Sequence, residues 1–215
     1  MNPSIIVIGA GGHAAVVADA LLAAGRTVLG FTDADPRRHG QHMCGLPILG
    51  DDAAVLAAHV PATIRLANGI GGARGTALRQ RVQQGLQAQG WQFTGVRHPT
   101  AIVSQFAHLS DDVQLLAASV VQAGARLGAG CIVNTAAVVE HDCRLGEQVH
   151  VAPRALLCGE VKLGARCHIG AGAVVRQGLR LGEDTVVGAG AVVLKDFAGA
   201  GTLIGVPARV METEL

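Results

Sequence analysis

The chain has 215 residues, half of them hydrophobic and 15% charged, with 17 basic against 16 acidic side chains. This length allows one or two domains, and the apolar fraction is too high for an intrinsically disordered chain. The near-neutral charge, the lack of a basic stripe and the scarcity of aromatics (four Phe, one Trp, no Tyr) argue against nucleic-acid binding.

The longest stretch without a charged residue runs from Met1 to Ala18 and contains a glycine loop and a histidine. It has no basic start and no small-residue cleavage site, so we expect neither a signal peptide nor membrane insertion. The five cysteines are an odd number without a C-x-x-C motif, which favours reduced thiols in the cytoplasm.

The first half of the chain alternates strand-like and helix-like segments, a pattern that predicts a small parallel α/β sheet. In chain order we predict a strand at 4–9, a helix at 13–24, a strand at 27–33, a short helix at 51–59, a strand at 62–67, a helix at 75–90 and a strand at 92–96.

A glycine-rich loop, Gly9-Ala-Gly-Gly-His13, follows the first strand and opens the first helix. Such a loop presents backbone N–H groups to a pyrophosphate. It matches G-x-G-x-x-G only in part, because Ala14 takes the third glycine place. Asp33 ends the second strand, where a ribose or base contact is expected. On its own, this motif is also compatible with NAD.

From about residue 102 the pattern changes to a hexad repeat, in which the same kind of residue returns at every sixth position. The sixteen positions from Val103 to Val193 that are spaced by six are all aliphatic, with no break in register. Fourteen of the sixteen residues that lie four places further on are Ala, Val, Ser, Thr or Cys. Glycine often follows the aliphatic residue directly.

A hexad repeat fits a parallel β-helix with three short sides, in which three hexads make one coil. The aliphatic residues fill the interior, and the small residues leave room at the narrow corners. Cys131, Cys143 and Cys167 fall on the small inward position, so we expect them to be core thiols.

The sequence resembles the bacterial sugar acyltransferases with hexapeptide repeats, which include sialic acid O-acetyltransferases and the N-acetyltransferases of UDP-bacillosamine precursors and GDP-perosamine. The resemblance covers essentially the whole chain. The motifs that carry it are Ile8–His13, His98–Pro99, Asn134–Cys143 and Gly205–Arg209.

This resemblance implies a Rossmann-like α/β domain at 1–98 that binds a sugar nucleotide. It implies a left-handed parallel β-helix at 99–215, with a C-terminal cap, that carries the acyltransferase site. The family assembles as a homotrimer and binds acetyl-CoA between neighbouring β-helices, with the sugar nucleotide reaching the same groove.

His141 is the strongest catalytic candidate. It takes the third place of its hexad, so its side chain should point outward, and a neutral imidazole near pH 7 suits a general base. By resemblance, His141 matches the family's base and Asp142 its acidic partner. Glu140 is an alternative partner, since adjacent strand residues face opposite sides unless a corner lies between them.

Further site residues are assigned by resemblance alone. His150 matches a histidine that contacts the cofactor or its carbonyl group. His168 lies three hexads after His150 and is expected one coil away, in a surface or interface ladder. The family residues whose backbone lies beside CoA match Gly159, Ala171 and Ala189. The family residues that contact the sugar nucleotide match Gly11, Gly12, His13, Asp33, Gly69 and Gly71.

We therefore predict a metal-free, acetyl-CoA-dependent N-acetyltransferase that acts on the 4-amino group of a nucleotide-linked 4-amino-4,6-dideoxy sugar in surface-glycan biosynthesis. Attack on the thioester should be direct, because no Cys or Ser is placed by motif beside a base. The sequence does not choose among UDP, GDP and dTDP.

Three alternatives remain open. The same fold could acetylate a hydroxyl group, as sialic acid O-acetyltransferases do. A trimeric carbonic-anhydrase-type zinc site would need three histidines, and His141, His150 and His168 are the candidates. A non-catalytic sugar-nucleotide-binding protein would use the α/β half alone.

Overall fold

The computed structural model describes residues 3–72 and 77–211. The chain divides into two compact units, Met1–Pro99 and Thr100–Leu215. None of the helices in the described ranges is long and apolar enough to cross a membrane.

The first unit is a small α/β sheet. Its elements are β1 (Ser4–Ile8), α1 (Gly12–Ala23), β2 (Val28–Thr32), a 3-10 turn (Pro36–Arg38), β3 (His42–Met43), β4 (Leu46–Gly50), α2 (Asp52–Ala57), β5 (Ile64–Asn68), α3 (Ala77–Ala88) and β6 (Val96–Arg97). The strand order in the sheet is β3-β4-β2-β1-β5. All neighbours are parallel except the β3–β4 hairpin.

The continuous apolar run of β1 predicts a strand buried inside the sheet, and β1 lies between β2 and β5. Its residues from Ile5 to Ile8 are at most 1% exposed. Strands β2 and β5 lie parallel to it on either side, so the carboxyl ends of all three meet at one edge. That edge carries the loops that follow Ile8, Thr32 and Asn68.

Two details of this unit differ from the sequence prediction. The β3–β4 hairpin was not predicted, because its turn is Cys44-Gly45 rather than the usual Asn-Gly or Asp-Gly. Both turn residues have positive φ, 52° and 74°, as a tight hairpin turn of this type requires. Of the strand predicted at 92–96, only Phe93 joins this sheet, through a single bridge to Leu66, and Val96 begins the two-residue strand β6.

The second unit is a parallel β-helix. Its strands are β7 (Ile102–Val103), β8 (His108–Leu109), β9 (Gln114–Leu115), β10 (Val120–Val121), β11 (Arg126–Leu127), β12 (Ile132–Val133), β13 (Val138–Val139), β14 (Arg144–Leu145), β15 (His150–Val151), β16 (Leu156–Leu157), β17 (Lys162–Leu163), β18 (His168–Ile169), β19 (Val174–Val175), β20 (Arg180–Leu181), β21 (Thr185–Val187), β22 (Val192–Val193), β23 (Gly201–Ile204) and β24 (Arg209–Val210).

From β7 to β22, every third strand belongs to the same sheet, in a register of three hexads, as in the pairing of Val120 with Val138. From Leu115 to Val193 the aliphatic residue of each hexad is at most 5% exposed. Cys131, Cys143 and Cys167 are fully buried, which confirms that they are core thiols. Burial raises the pKa of the Cys143 and Cys167 thiols to about 11.

The outward residues of the three sheets differ in character, and we name the faces after them. The apolar face carries Ile102, Val120, Val138, Leu156, Val174 and Val192. The basic face carries His108, Arg126, Arg144, Lys162 and Arg180. The histidine face carries Gln114, Ile132, His150, His168 and Val186.

The basic face corrects the expectation that the chain has no basic stripe. Its cations are three hexads apart, so they form no run in the sequence. Carboxylates occupy the turns on both sides of this face. The turns that lead into it contain Glu140, Asp142 and Glu160, and those that leave it contain Asp111, Asp112, Glu147, Glu183 and Asp184.

Candidate active site

His141 and Asp142 form the turn between β13 and β14, at the corner between the apolar and basic faces. Asp142 has a left-handed backbone with φ of 58°. This turn supplies the corner that brings two adjacent side chains together. Nδ1 of His141 lies 3.0 Å from Oδ2 of Asp142.

This contact fixes the protonation pattern of the imidazole. A carboxylate can only accept, so Nδ1–H donates to Asp142 and Nε2 keeps its lone pair. The hydrogen bond to Asp142 raises the pKa of His141, and the charges of Glu140 and Glu160 raise it further. Oε2 of Glu140 instead accepts a hydrogen bond from the His141 backbone N–H at 3.3 Å. Asp142, and not Glu140, is therefore the partner of the ring.

Gly159 lies one coil further on, at the same corner as His141. It is buried, and the His141 imidazole covers it. The structure thus brings one of the predicted cofactor contacts directly to the candidate base.

His150 lies on the histidine face and is 6% exposed. Its Nε2 accepts a hydrogen bond from Nδ2 of Asn134 at 3.1 Å, and Oδ1 of Asn134 accepts one from the Thr135 N–H at 2.8 Å. These two hydrogen bonds together set the orientation of the Asn134 amide. Sequence reasoning missed this role of Asn134, although it belongs to the motif that carries the family resemblance.

His168 is the neighbour of His150 in the next coil, as the spacing of three hexads predicts. The two rings meet edge to face, with centroids 4.9 Å apart. Burial lowers the pKa of His168. His168 is therefore a packing partner of His150 on the histidine face.

Ala171 and Ala189 are exposed and lie in turns at the corner between the histidine and apolar faces. His141 and Gly159 occupy the other edge of the apolar face. Within one chain, Gly159 therefore lies at a different corner from Ala171 and Ala189, and His150 lies on the histidine face. Among residues 3–72 and 77–211, no group of three or more His, Cys, Asp or Glu is arranged to hold a metal ion.

The glycine loop lies at the amino end of α1. Gly11 is the N-cap of this 12-residue helix and offers no side chain to the N–H groups of the first turn. The positions where Gly11 and Gly12 would carry side chains are open. Backbone donors at a helix amino terminus, with space above them, can bind an anionic group. His13 is half-buried in the first turn.

Gly69 and Gly71 have packing roles. A methyl group at Gly69 would lie 2.7 Å from the side chains of Val7 and Ala14, which is too close for any residue other than glycine. A methyl group at Gly71 would lie 3.2 Å from Cβ of His13. These two glycines let the loop after β5 pack closely on β1 and α1.

Asp33 follows β2 at the same sheet edge, and its carboxylate already has two partners. Oδ2 accepts a hydrogen bond from Nη1 of Arg38 at 2.5 Å, and Oδ1 accepts one from the Asp35 N–H at 2.9 Å. Nε2 of His39 lies 2.8 Å from the Asp33 carbonyl oxygen. Sequence reasoning missed Arg38, and only the short spacing from Asp33 to the Arg37-Arg38 pair could have indicated it.

Comparisons with known proteins agree with this fold. A family model described as the PglD N-terminal domain matches residues 4–86, and one described as the bacterial transferase hexapeptide (six repeats) matches 142–177 and 160–195. No curated protein sequence matches the chain significantly.

Solved structures match over almost the full length. A histidine-to-asparagine variant of perosamine N-acetyltransferase from Caulobacter crescentus, in complex with CoA and GDP-perosamine, has a TM-score of 0.90 at 38% identity, over 99% of both chains. The acetyltransferase domain of PglB from Neisseria gonorrhoeae, in complex with acetyl coenzyme A, has a TM-score of 0.90 at 35% identity, over 98% of this chain and 100% of that one. WeeI from Acinetobacter baumannii shares the fold, with a TM-score of 0.84 at 23% identity over 98% and 100%.

An α/β unit with a glycine-rich loop, followed by a three-sided β-helix with a histidine–carboxylate pair at one corner, defines a hexapeptide-repeat acyltransferase. The chain belongs to the bacterial sugar acyltransferase family that contains the perosamine and PglB N-acetyltransferases. Its second unit is accordingly a left-handed parallel β-helix.

Proposed function

We propose that the chain is an acetyl-CoA-dependent N-acetyltransferase for the 4-amino group of a nucleotide-linked 4-amino-4,6-dideoxy sugar, in surface-glycan biosynthesis. The observation that carries this proposal is the 3.0 Å contact between Nδ1 of His141 and Oδ2 of Asp142. It leaves Nε2 as a proton acceptor on the outer side of the helix. The perosamine enzyme at 38% identity makes GDP-perosamine the first substrate to test.

In this proposal the acetyl thioester of the cofactor supplies the acyl group, and His141 supplies the base. Nε2 of His141 takes a proton from the amine as its nitrogen attacks the thioester carbonyl carbon. The C–N bond forms, the C–S bond breaks, and the imidazolium returns the proton to the departing thiolate. Asp142 keeps the ring oriented and stabilises its charged form. No covalent acyl-enzyme is needed.

The corner at Ala171 and Ala189 fits the narrow arm of coenzyme A. Both residues are exposed, and each is followed by a glycine, Gly172 or Gly190, whose side-chain position is open. Such a corner lets an extended chain lie close to the backbone. We propose that these residues, His150 and Gly159 contact the cofactor.

We propose that the enzyme is a homotrimer whose active site forms between two copies. Two observations support this assembly. The base and the Ala171–Ala189 corner are separated by the width of the apolar face within one chain. The apolar face itself presents a column of six aliphatic side chains, of which Ile102 is 65% exposed and the other five are half-buried. Packing against a neighbouring copy would remove this surface from water.

The first unit, whose extent we place at residues 1–98, is proposed to hold the nucleotide sugar. The backbone N–H groups at Gly11, Gly12 and His13 would take the pyrophosphate, and Asp33 the ribose or base. Because Gly69 and Gly71 are occupied with packing, we expect them to shape the loop as well as contact the ligand. All five cysteines are free thiols, which favours a reaction in the cytoplasm.

Release of free thiol from acetyl-CoA tests this function. The acceptors are GDP-, UDP- and dTDP-linked 4-amino sugars and free sialic acid, and mass spectrometry locates the new acetyl group. Acetylation of an amino sugar that His141→Asn abolishes supports the proposal. Turnover of sialic acid alone would indicate O-acetylation. Binding of a sugar nucleotide without any turnover would favour a non-catalytic binding protein.

A further inference from the structure

The turns of the β-helix share one backbone pattern. Each has two residues, and the second has positive φ from Ala118 to Gly190, whether or not it is glycine. The first turn residue has no such constraint. It is Gln, Asp, Ala, Thr, His, Glu or Pro in fourteen of the fifteen turns between 105 and 190, and glycine only at 159. The fold therefore does not require a glycine at this position.

The imidazole of His141 does require it. A methyl group at position 159 would lie 2.6 Å from Cε1 and 3.0 Å from Cδ2 of His141, and closer still to Nε2. No protein carbon packs at such distances. Because Gly159 does not have positive φ, its backbone accepts alanine, and the three atoms nearest to the added methyl group all belong to the His141 ring.

Gly124 has the matching position one coil before Asp142. A methyl group there would lie 3.2 Å from Cγ of Asp142 and closer to Oδ1. Gly124 also has φ of 74°, so the backbone independently favours glycine at this site. The two glycines leave room for the two members of the pair, but only Gly159 has no backbone reason to lack a side chain.

We propose that Gly159 is a positioning residue for the acetyl transfer. Its missing side chain leaves the imidazole room beside the next coil, with Nδ1 on Asp142 and Nε2 as the ring atom nearest to position 159. A side chain at 159 would turn the ring away from Asp142 and fill the space where the amine approaches. This inference rests on the proposed function and assigns a steric role beyond a backbone contact with coenzyme A.

Gly159→Ala tests it, with Ala129→Gly as the control, because the control changes one methyl group at the same turn position away from His141. We expect Gly159→Ala to lower kcat about 100-fold, as a displacement of about 1 Å of a catalytic group does. The KM for acetyl-CoA should stay within about twofold of wild type, and Tm should not change. Ala129→Gly should keep wild-type kcat.

An NMR titration of labelled histidine gives a readout that does not depend on turnover. The His141 signal, assigned by its loss in His141→Asn, should titrate at a lower pH in Gly159→Ala than in wild type, since the ring has left Asp142. Unchanged titration and kcat would overturn the inference, and so would a rise in the acetyl-CoA KM alone, which indicates a cofactor contact only. A large fall in Tm that accompanies the loss of activity would show a structural role.

A failure of the proposed function and a failure of the role of Gly159 would give different results. If wild type and His141→Asn are equally inactive with every acceptor, the proposed function is wrong, whereas the titration still reports whether Gly159 sets the ring position. If His141→Asn is inactive but Gly159→Ala keeps full kcat, only the role of Gly159 is wrong.

Discussion

Nδ1 of His141 and Oδ2 of Asp142 are 3.0 Å apart, although the two residues are neighbours in the chain. In an extended strand their side chains would face opposite ways. The left-handed backbone of Asp142 turns its carboxylate back toward the ring. The candidate base therefore depends on a turn conformation as much as on residue types.

The pH dependence of activity should follow from this pair. Asp142 raises the pKa of His141, and a general base acts only when it is neutral. Activity should therefore fall as the pH drops through a value above 6.5, the ordinary pKa of histidine. In Asp142→Asn the pKa should fall, so the acid limb of the kcat/KM profile should move to lower pH. An acid limb that stays in place would mean that another group titrates.

Replacing His141 itself should remove general base catalysis. We expect His141→Asn to lower kcat by about 10²–10⁴-fold, the usual contribution of a positioned base. The affinity for acetyl-CoA, measured by calorimetry, should be nearly unchanged because the proposed cofactor contacts lie at other residues. His168→Asn is the matched control on the histidine face and should lose far less activity. Equal losses in the two variants would argue against His141 as the base.

Arg38 should matter for the nucleotide sugar through Asp33. Arg38→Gln removes the cation that holds the Asp33 carboxylate, so we expect the KM for the nucleotide sugar to rise about tenfold, which corresponds to about 1.4 kcal/mol. The KM for acetyl-CoA should not change. Arg37→Gln is the control, because Arg37 is 87% exposed and pairs with Asp35. Equal KM values for the two variants would remove Asp33 from the binding site.

Asn134 should stabilise the fold as well as orient His150. Asn134→Ala removes the donor to the buried Nε2 of His150, and an unsatisfied buried acceptor costs about 1–3 kcal/mol. Urea unfolding should show a free energy of unfolding lower by that amount. Thr135→Ala changes the adjacent exposed residue and keeps this hydrogen bond, so its unfolding should match wild type.

The apolar face should hold the assembly together. Leu156→Arg places a charge in the middle of this face, and burying an unpaired charge in an interface is costly. We expect light scattering to show trimers for the wild type and smaller species for Leu156→Arg. Lys162→Gln also changes the charge by a single unit, but on the basic face, and should leave the trimer intact. A monomeric wild type would show that this face has another role.

The sequence predicts the inside of this molecule better than its outside. The inward residues recur once in every hexad, because each side of the prism repeats the same packing problem. The outward residues vary from side to side and recur only once per coil. The apolar column from Ile102 to Val192 and the basic column from Arg126 to Arg180 are therefore not visible in the hexad repeat.

Site details were harder to predict for two physical reasons. Whether Glu140 or Asp142 meets the His141 ring depends on a positive φ at residue 142. Aspartate tolerates this conformation, but its presence in a sequence does not predict it. The partners of Asp33 and His150 are set by side-chain packing across loops and coils. Arg38 and Asn134 became recognisable only when the backbone had placed them.

The shared turn backbone also means that the geometry of the His141–Asp142 pair does not depend on which coil holds it. Positions 123–124 and 159–160 repeat the same corner one coil away on either side, including the left-handed second residue. A histidine and an aspartate transplanted there would find the same local geometry, provided that the next coil also offered a small residue. The position of the pair along the β-helix is therefore set by which coil carries the two residues, and not by a backbone shape unique to that coil.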